Sequence, residues 1–91
     1  MRFDLGQLVM TSGISDRVAD DTDFANFVWL SLRKHSLGDW GNLCKEDNQE
    51  NEISLQKGFR ILSSYGEKDN SIWIITEADR SVTTILFPSE Y

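Results

Sequence analysis

Residues 59–87 read FRILSSY (59–65), GEKDN (66–70), SIWIIT (71–76), EADRS (77–81) and VTTILF (82–87), and this stretch decides the fold. Its apolar and β-branched residues fall in three runs of strand length, with side chains alternating between two faces. The two intervening segments are rich in Gly, Asn, Asp, Ser and charged residues, which favour turns. Pro88 cannot donate to a sheet ladder and ends the last run. Consecutive strands with short connections predict a three-stranded antiparallel meander, in which Trp73 and Ile75 face away from Ile74.

Upstream of residue 59 the period changes. Lys45 to Lys57 carries acids early, a Lys late and Gly58 just beyond, which predicts a helix over 45–57. Its apolar content is thin (Ile53 and Leu55, with Leu43 before it), so one narrow side should pack. Gly38-Asp39-Trp40-Gly41 reads as a tight connection that places Trp40. Phe24 to His35 is the strongest helix signal: Phe24, Phe27, Val28 and Ser31 share a face at the i, i+3, i+4, i+7 spacing. Trp29, Leu30 and Leu32 are apolar too and are expected to point elsewhere. Thr22 or Asp23 is the expected cap, after a break at Asp20–Asp23. A first helix capped by Ser12 runs to about Ala19, behind a short strand at about 7–10. The predicted order is β-α-α-α-β-β-β, an α+β domain over 1–91 with the helices packed on one face of the meander.

Composition narrows the function. The chain has 91 residues, 40% hydrophobic, with a formal net charge of −6 and its nine Lys and Arg scattered. Direct nucleic-acid binding needs a basic surface and is not expected. The cluster Arg33-Lys34-His35 fits a helix C-terminus. No apolar run approaches the roughly 18–20 residues of a membrane span, and Met1–Met10 lacks the features of a signal peptide. The lone Cys44 excludes an internal disulfide. Cytoplasm is the expected compartment.

Gly38-Asp39-Trp40-Gly41-x-Leu43, then Glu46-Asp47, Asn51-Glu52 and Leu55, and above all the run Trp73 to Leu86 (WIITEADRSVTTIL) carry a resemblance. So do Phe3-x-Leu5-Gly6 and Pro88-x-x-Tyr91. Together they resemble a family of small plasmid- and phage-borne accessory proteins, over nearly the whole chain except about 13 to 34. Proteins of that family often carry the label of a type I restriction-modification methylation subunit. The residues do not fit that activity: an adenine methyltransferase needs an Asn-Pro-Pro-aromatic motif and a glycine-rich cofactor turn, and Pro88 is the only proline.

Several polar groupings can carry chemistry. Thr76-Glu77-Ala78-Asp79-Arg80-Ser81 offers two carboxylates, a guanidinium and hydroxyls to a ligand or a partner's charged group. The same residues also make a hairpin loop in which Arg80 pairs with Glu77, Asp79 or a helix acid. Within Glu46, Asp47, Glu50, Asn51 and Glu52, the trio Asp47, Glu50 and Asn51 shares a helix face. It can hold a hard cation only if another oxygen ligand approaches; otherwise it is a solvated face that complements the helix dipole. His35, Asp39 and Cys44 make a nucleophile set only if the fold unites them. Trp40 is either a core residue or a ligand platform. No phosphate loop, nucleophile elbow, metal-ligand pair or dinucleotide fingerprint is present, so neither an enzyme nor a cofactor is expected.

The expected role is therefore a non-enzymatic accessory protein that binds another protein. The family resemblance adds modulation of a host defence or restriction system as an extension. A homo-oligomer is the other form of association, and Trp29 and Leu32 are the expected contact side. Two alternatives remain. One is an acidic DNA mimic using Asp16, Asp20, Asp21 and Asp23 with the acids of the third helix; the other is a small ligand- or metal-binding enzyme.

Overall fold

In the computed structural model, which describes residues 1–91, the chain begins with β1 (Gln7–Met10) and continues through α1 (Ser12–Asp20), α2 (Thr22–Ser36) and α3 (Lys45–Lys57). It closes with β2 (Ile61–Tyr65), β3 (Ile72–Thr76) and β4 (Val82–Leu86). Short 3-10 turns occupy Lys68–Asn70 and Pro88–Glu90. The class is α+β. No helix is long and apolar enough to cross a membrane.

The sheet does not stop at three strands. It has four, in the order β1-β4-β3-β2, and it is mixed. β2 pairs antiparallel with β3, and β3 antiparallel with β4, placing Ile74 opposite both Ser63 and Ile85. β1 joins β4 in parallel, with Val9 opposite Thr84. β2, β3 and β4 thus form the expected antiparallel meander, and β1, added in parallel beside β4, makes the sheet four-stranded and mixed. An uncovered β4 would expose a row of unpaired backbone groups. Instead Gln7 donates its N–H to the Ser81 carbonyl at 2.9 Å, and Thr11 donates to Ile85 at 3.1 Å. The parallel sense follows from the intervening helices, which bring the chain back without a tight hairpin.

The core lies between α1, α2 and one face of the sheet: Ile14, Phe24, Val28, Leu32, Tyr65, Ile72, Ile74 and Ile85 form a single buried cluster. α2 supplies Phe24, Val28 and Leu32 at four-residue spacing, which is one stripe of the helix. It runs antiparallel to β4, from Phe24 stacked on Phe87 (5.8 Å) to His35 bonded to Thr76, which lies opposite Thr83. Its cap is Asp21 and not Thr22 or Asp23, since the Asp21 carboxylate accepts the Phe24 N–H at 3.1 Å. α1 is preceded by Thr11, not capped by Ser12. Glu90 serves its N-terminus: one carboxylate oxygen accepts the Thr11 hydroxyl at 2.6 Å and the other the Gly13 N–H at 3.2 Å. These bonds, Thr11 first, hold the Glu90 carboxyl below its ordinary pKa.

α3 departs from the one-face expectation. It lies along the outer edge of β2, held there by the Asn51 side chain bonded to the Leu62 backbone. Gly58 ends it in the left-handed region, at φ +75°.

Candidate interaction surface

The two edges of the sheet are treated differently. On β2, the Asn51 amide accepts the Leu62 N–H at 3.3 Å and donates to the Leu62 carbonyl at 2.6 Å. Two residues on, Ser64 donates to the Trp40 carbonyl at 3.2 Å and accepts the Asn42 N–H at 2.7 Å. Gly41 sits between them with φ +75°, and a Cβ there would run into the Ser64 carbonyl. That contact is why this segment needs glycine. Every outward-facing backbone group of Leu62 and Ser64 is therefore paired. β1, at the other edge, has no such cover. Gln7 and Thr11 face β4, so by alternation Leu8 and Met10 direct their N–H and C=O groups away from the sheet.

The bare edge is also apolar. Leu8, Val9 and Met10 are 41%, 39% and 38% exposed. The side chains of Leu8 and Met10 lie on the helix face, where with Val18, Val28, Trp29 and Ile85 they line a narrow cleft of about 90 Å³. Trp29 continues this surface onto α2 and is more than half exposed, while Leu30, equally exposed, lies on the side of α2 turned away from the packed stripe. Leu32 does not belong to the exposed surface. It is buried in the core, because it follows Val28 by four residues and so falls on the packed stripe. Residues 5–15 form the longest stretch without a charged side chain, and residues 24–32 are likewise uncharged. The two stretches meet at this cleft.

The polar candidates are occupied in holding the fold. Arg80 pairs with no carboxylate. Its Nη1 donates to the carbonyls of Phe59 (2.7 Å), Glu77 (3.0 Å) and Ala78 (3.3 Å), and its Nη2 to that of Ser54 (3.1 Å). The guanidinium fork thus ties the β3–β4 turn to the last turn of α3, whose dipole a cation suits. Asp79 accepts the Ser81 N–H (3.0 Å) and hydroxyl (2.5 Å), which lowers its pKa and closes a local turn. Glu77 is exposed. Asn51 borders a shallow groove with Asp47, Glu50, Arg60 and Tyr91, but it is buried and its amide is spent on the Leu62 backbone. No three His, Cys, Asp or Glu side chains gather as a metal-binding group. Trp40 is buried, with its indole N–H donated to Glu52 at 3.0 Å. Glu52 also pairs with Arg2 at 2.9 Å, the chief cause of its lowered pKa.

His35 is wholly buried, and it is bonded to neither Asp39 nor Cys44, which is exposed. Its Nδ1 meets the Ser63 hydroxyl, its Nε2 lies 2.9 Å from Thr76 Oγ1, Thr76 lies 2.7 Å from Thr83 Oγ1, and Thr83 donates to the Leu5 carbonyl at 2.6 Å. A carbonyl only accepts, so it fixes the direction of the whole chain. Thr83 gives its proton to Leu5 and accepts from Thr76, which accepts from His35 Nε2–H, leaving Nδ1 to accept from Ser63. With the imidazole neutral, as its burial favours, both ring nitrogens are bonded. Burial, with the Arg80 charge second, lowers its pKa from 6.5 to about 4. Burial likewise pushes the Tyr65 phenol up, while its hydroxyl donates to the Asp39 carbonyl at 2.6 Å.

Sequence reasoning brought Trp29 to this surface and missed Leu8, Val9 and Met10. The signal that was there to read is the uncharged stretch 5–15 in a chain that is 26% charged. No family model, curated protein or solved structure matches this chain.

Proposed function

We propose that this chain is a non-enzymatic accessory protein that works by binding another protein chain through the β1 edge and the Trp29 cleft. One observation carries the reading: the β2 edge is closed by Asn51, Trp40 and Asn42, whereas the β1 edge is bare beside an exposed apolar cleft. A bare edge offers backbone pairing, and neighbouring apolar pockets add side-chain specificity. The burial of His35, the only histidine, with both ring nitrogens bonded, supports a structural role for the residue type most often used in general-base work. The likeness to plasmid- and phage-borne proteins supports the extension that the process served belongs to a mobile element, such as modulation of a host restriction or defence system.

A photo-crosslinking residue at Leu30, the exposed neighbour of Trp29 on α2, and one at Gln56, exposed on α3, test the reading in living cells. Adducts at Leu30 and none at Gln56 are expected; equal labelling at both positions contradicts it. Binding should also survive high salt. Loss in salt would favour the acidic alternative, in which Asp16, Asp20, Asp21 and Asp23 with the acids of α3 imitate a phosphate row.

A further inference from the structure

We infer that the chain which covers the β1 edge is a second copy of this one, paired antiparallel through β1 about a two-fold axis at Val9. The inference rests on the proposed binding role of that edge and names its partner. The register follows from pairing outward-facing residues only with one another and using both of them within β1. Leu8 and Met10 direct their backbone groups out, and in an antiparallel ladder two such residues exchange both hydrogen bonds. Centred on Val9, Leu8 of one copy meets Met10 of the other, and the same pairing recurs on the far side of the axis. Val9 then faces its own symmetry mate in the close, non-hydrogen-bonded position. The strand is thus complementary to itself.

Charge does not oppose this pairing along the strands. Each copy has a formal net charge of −6, so two copies repel wherever their charged surfaces meet. The β1 edge lies within residues 5–15, which carry no charge, so no like charges oppose one another along the paired strands. On the helix face, α2 lies along the strand direction, so the two-fold axis sets the two copies of α2 in opposite directions. The acidic end of one, with Asp21 and Asp23, is then directed like the basic end of the other, with Arg33 and Lys34. The opposite edge explains why assembly stops there. β2 is blocked by Asn51 and the Trp40–Asn42 segment, so a pair closed through β1 has no free edge left for a third copy.

The test is sedimentation equilibrium of the full chain from low to high micromolar concentration, with paired cysteine variants to read the register. In a Cys44→Ser background, Val9→Cys places two thiols at the axis. A non-hydrogen-bonded antiparallel pair sets the Cα atoms about 4.5 Å apart, within disulfide reach. Leu8→Cys faces Met10 of the other copy and has no thiol opposite it. The expected result is a reversible dimer, with Val9→Cys oxidising to a covalent dimer and Leu8→Cys remaining reducible monomer. Circular dichroism of both variants confirms that each is folded. A dimer in which both variants cross-link equally overturns the register, and a monomer at every concentration overturns the second copy. A monomer that still cross-links through Leu30 to a different protein in cells overturns the second copy alone. A monomer without such adducts overturns the binding role as well.

Discussion

The side chain of Asn51 stands beside Leu62 in the place of a neighbouring strand, accepting its N–H and donating to its carbonyl with a single amide. Asn51→Asp keeps the shape, removes the donor and sets a carboxylate against the Leu62 carbonyl. A loss of about 1–3 kcal/mol is expected in denaturant titration, as for a hydrogen-bonded group left facing an unsuited partner. Exchange of the Leu62 amide should accelerate in the same variant. An unchanged midpoint and unchanged exchange would mean that α3 holds the edge without this amide.

His35 sets a pH dependence whose sign is fixed by its lowered pKa. The unfolded chain takes up the proton near pH 6.5, whereas the folded chain resists until about pH 4. Above pH 6.5 both states are neutral and the full stability is present; as pH falls through the window, protonation favours the unfolded chain. That difference between the two states corresponds to about 3 kcal/mol. Denaturant midpoints between pH 7 and pH 4 should therefore fall, and His35→Gln should flatten that part of the profile. A wild-type midpoint that is level across the window contradicts a buried neutral imidazole.

Thr83→Val tests the direction of the hydroxyl chain. The variant preserves volume but leaves the Leu5 carbonyl without its donor and Thr76 without its acceptor. A loss of about 1–3 kcal/mol is expected. Faster amide exchange should follow in β1, whose approach is fixed through Leu5. A neutral substitution would show that water takes over both roles.

Arg80→Lys should lower stability by about 1–2 kcal/mol, because a point charge cannot serve the carbonyls of Phe59, Glu77 and Ser54 as the planar fork does. Self-association should be untouched. Stability equal to wild type, with association lost, would move the turn from scaffold to contact surface.

The strands β2 to β4, the three helices and the Gly58 stop are legible in the sequence because each depends on local chemistry: alternation, caps and turn residues. What was not legible depends on partners far away in the chain. Gln-Leu-Val-Met at 7–10 is too short to declare its mate, and nothing local reveals that it lies parallel to β4. Leu32 was readable as core from its spacing to Phe24 and Val28, but its neighbours Trp29 and Leu30 drew it into the outward set. Arg80 has carboxylates beside it in sequence, yet it turns to carbonyls brought close only by folding. Ser63, Thr76 and Thr83 do leave a trace, as small hydroxyl residues at buried strand positions, but only the fold sets His35 among them.

The most direct test of the bare edge as a binding surface for a second copy is amide hydrogen exchange of single residues in β1 as a function of protein concentration. The amides of Leu8 and Met10 face outward, whereas those of Gln7 and Thr11 are bonded to β4. Protection of Leu8 and Met10 should rise with concentration while that of Gln7 and Thr11 stays constant. Leu8 and Met10 amides that exchange at the free rate at every concentration would contradict the account.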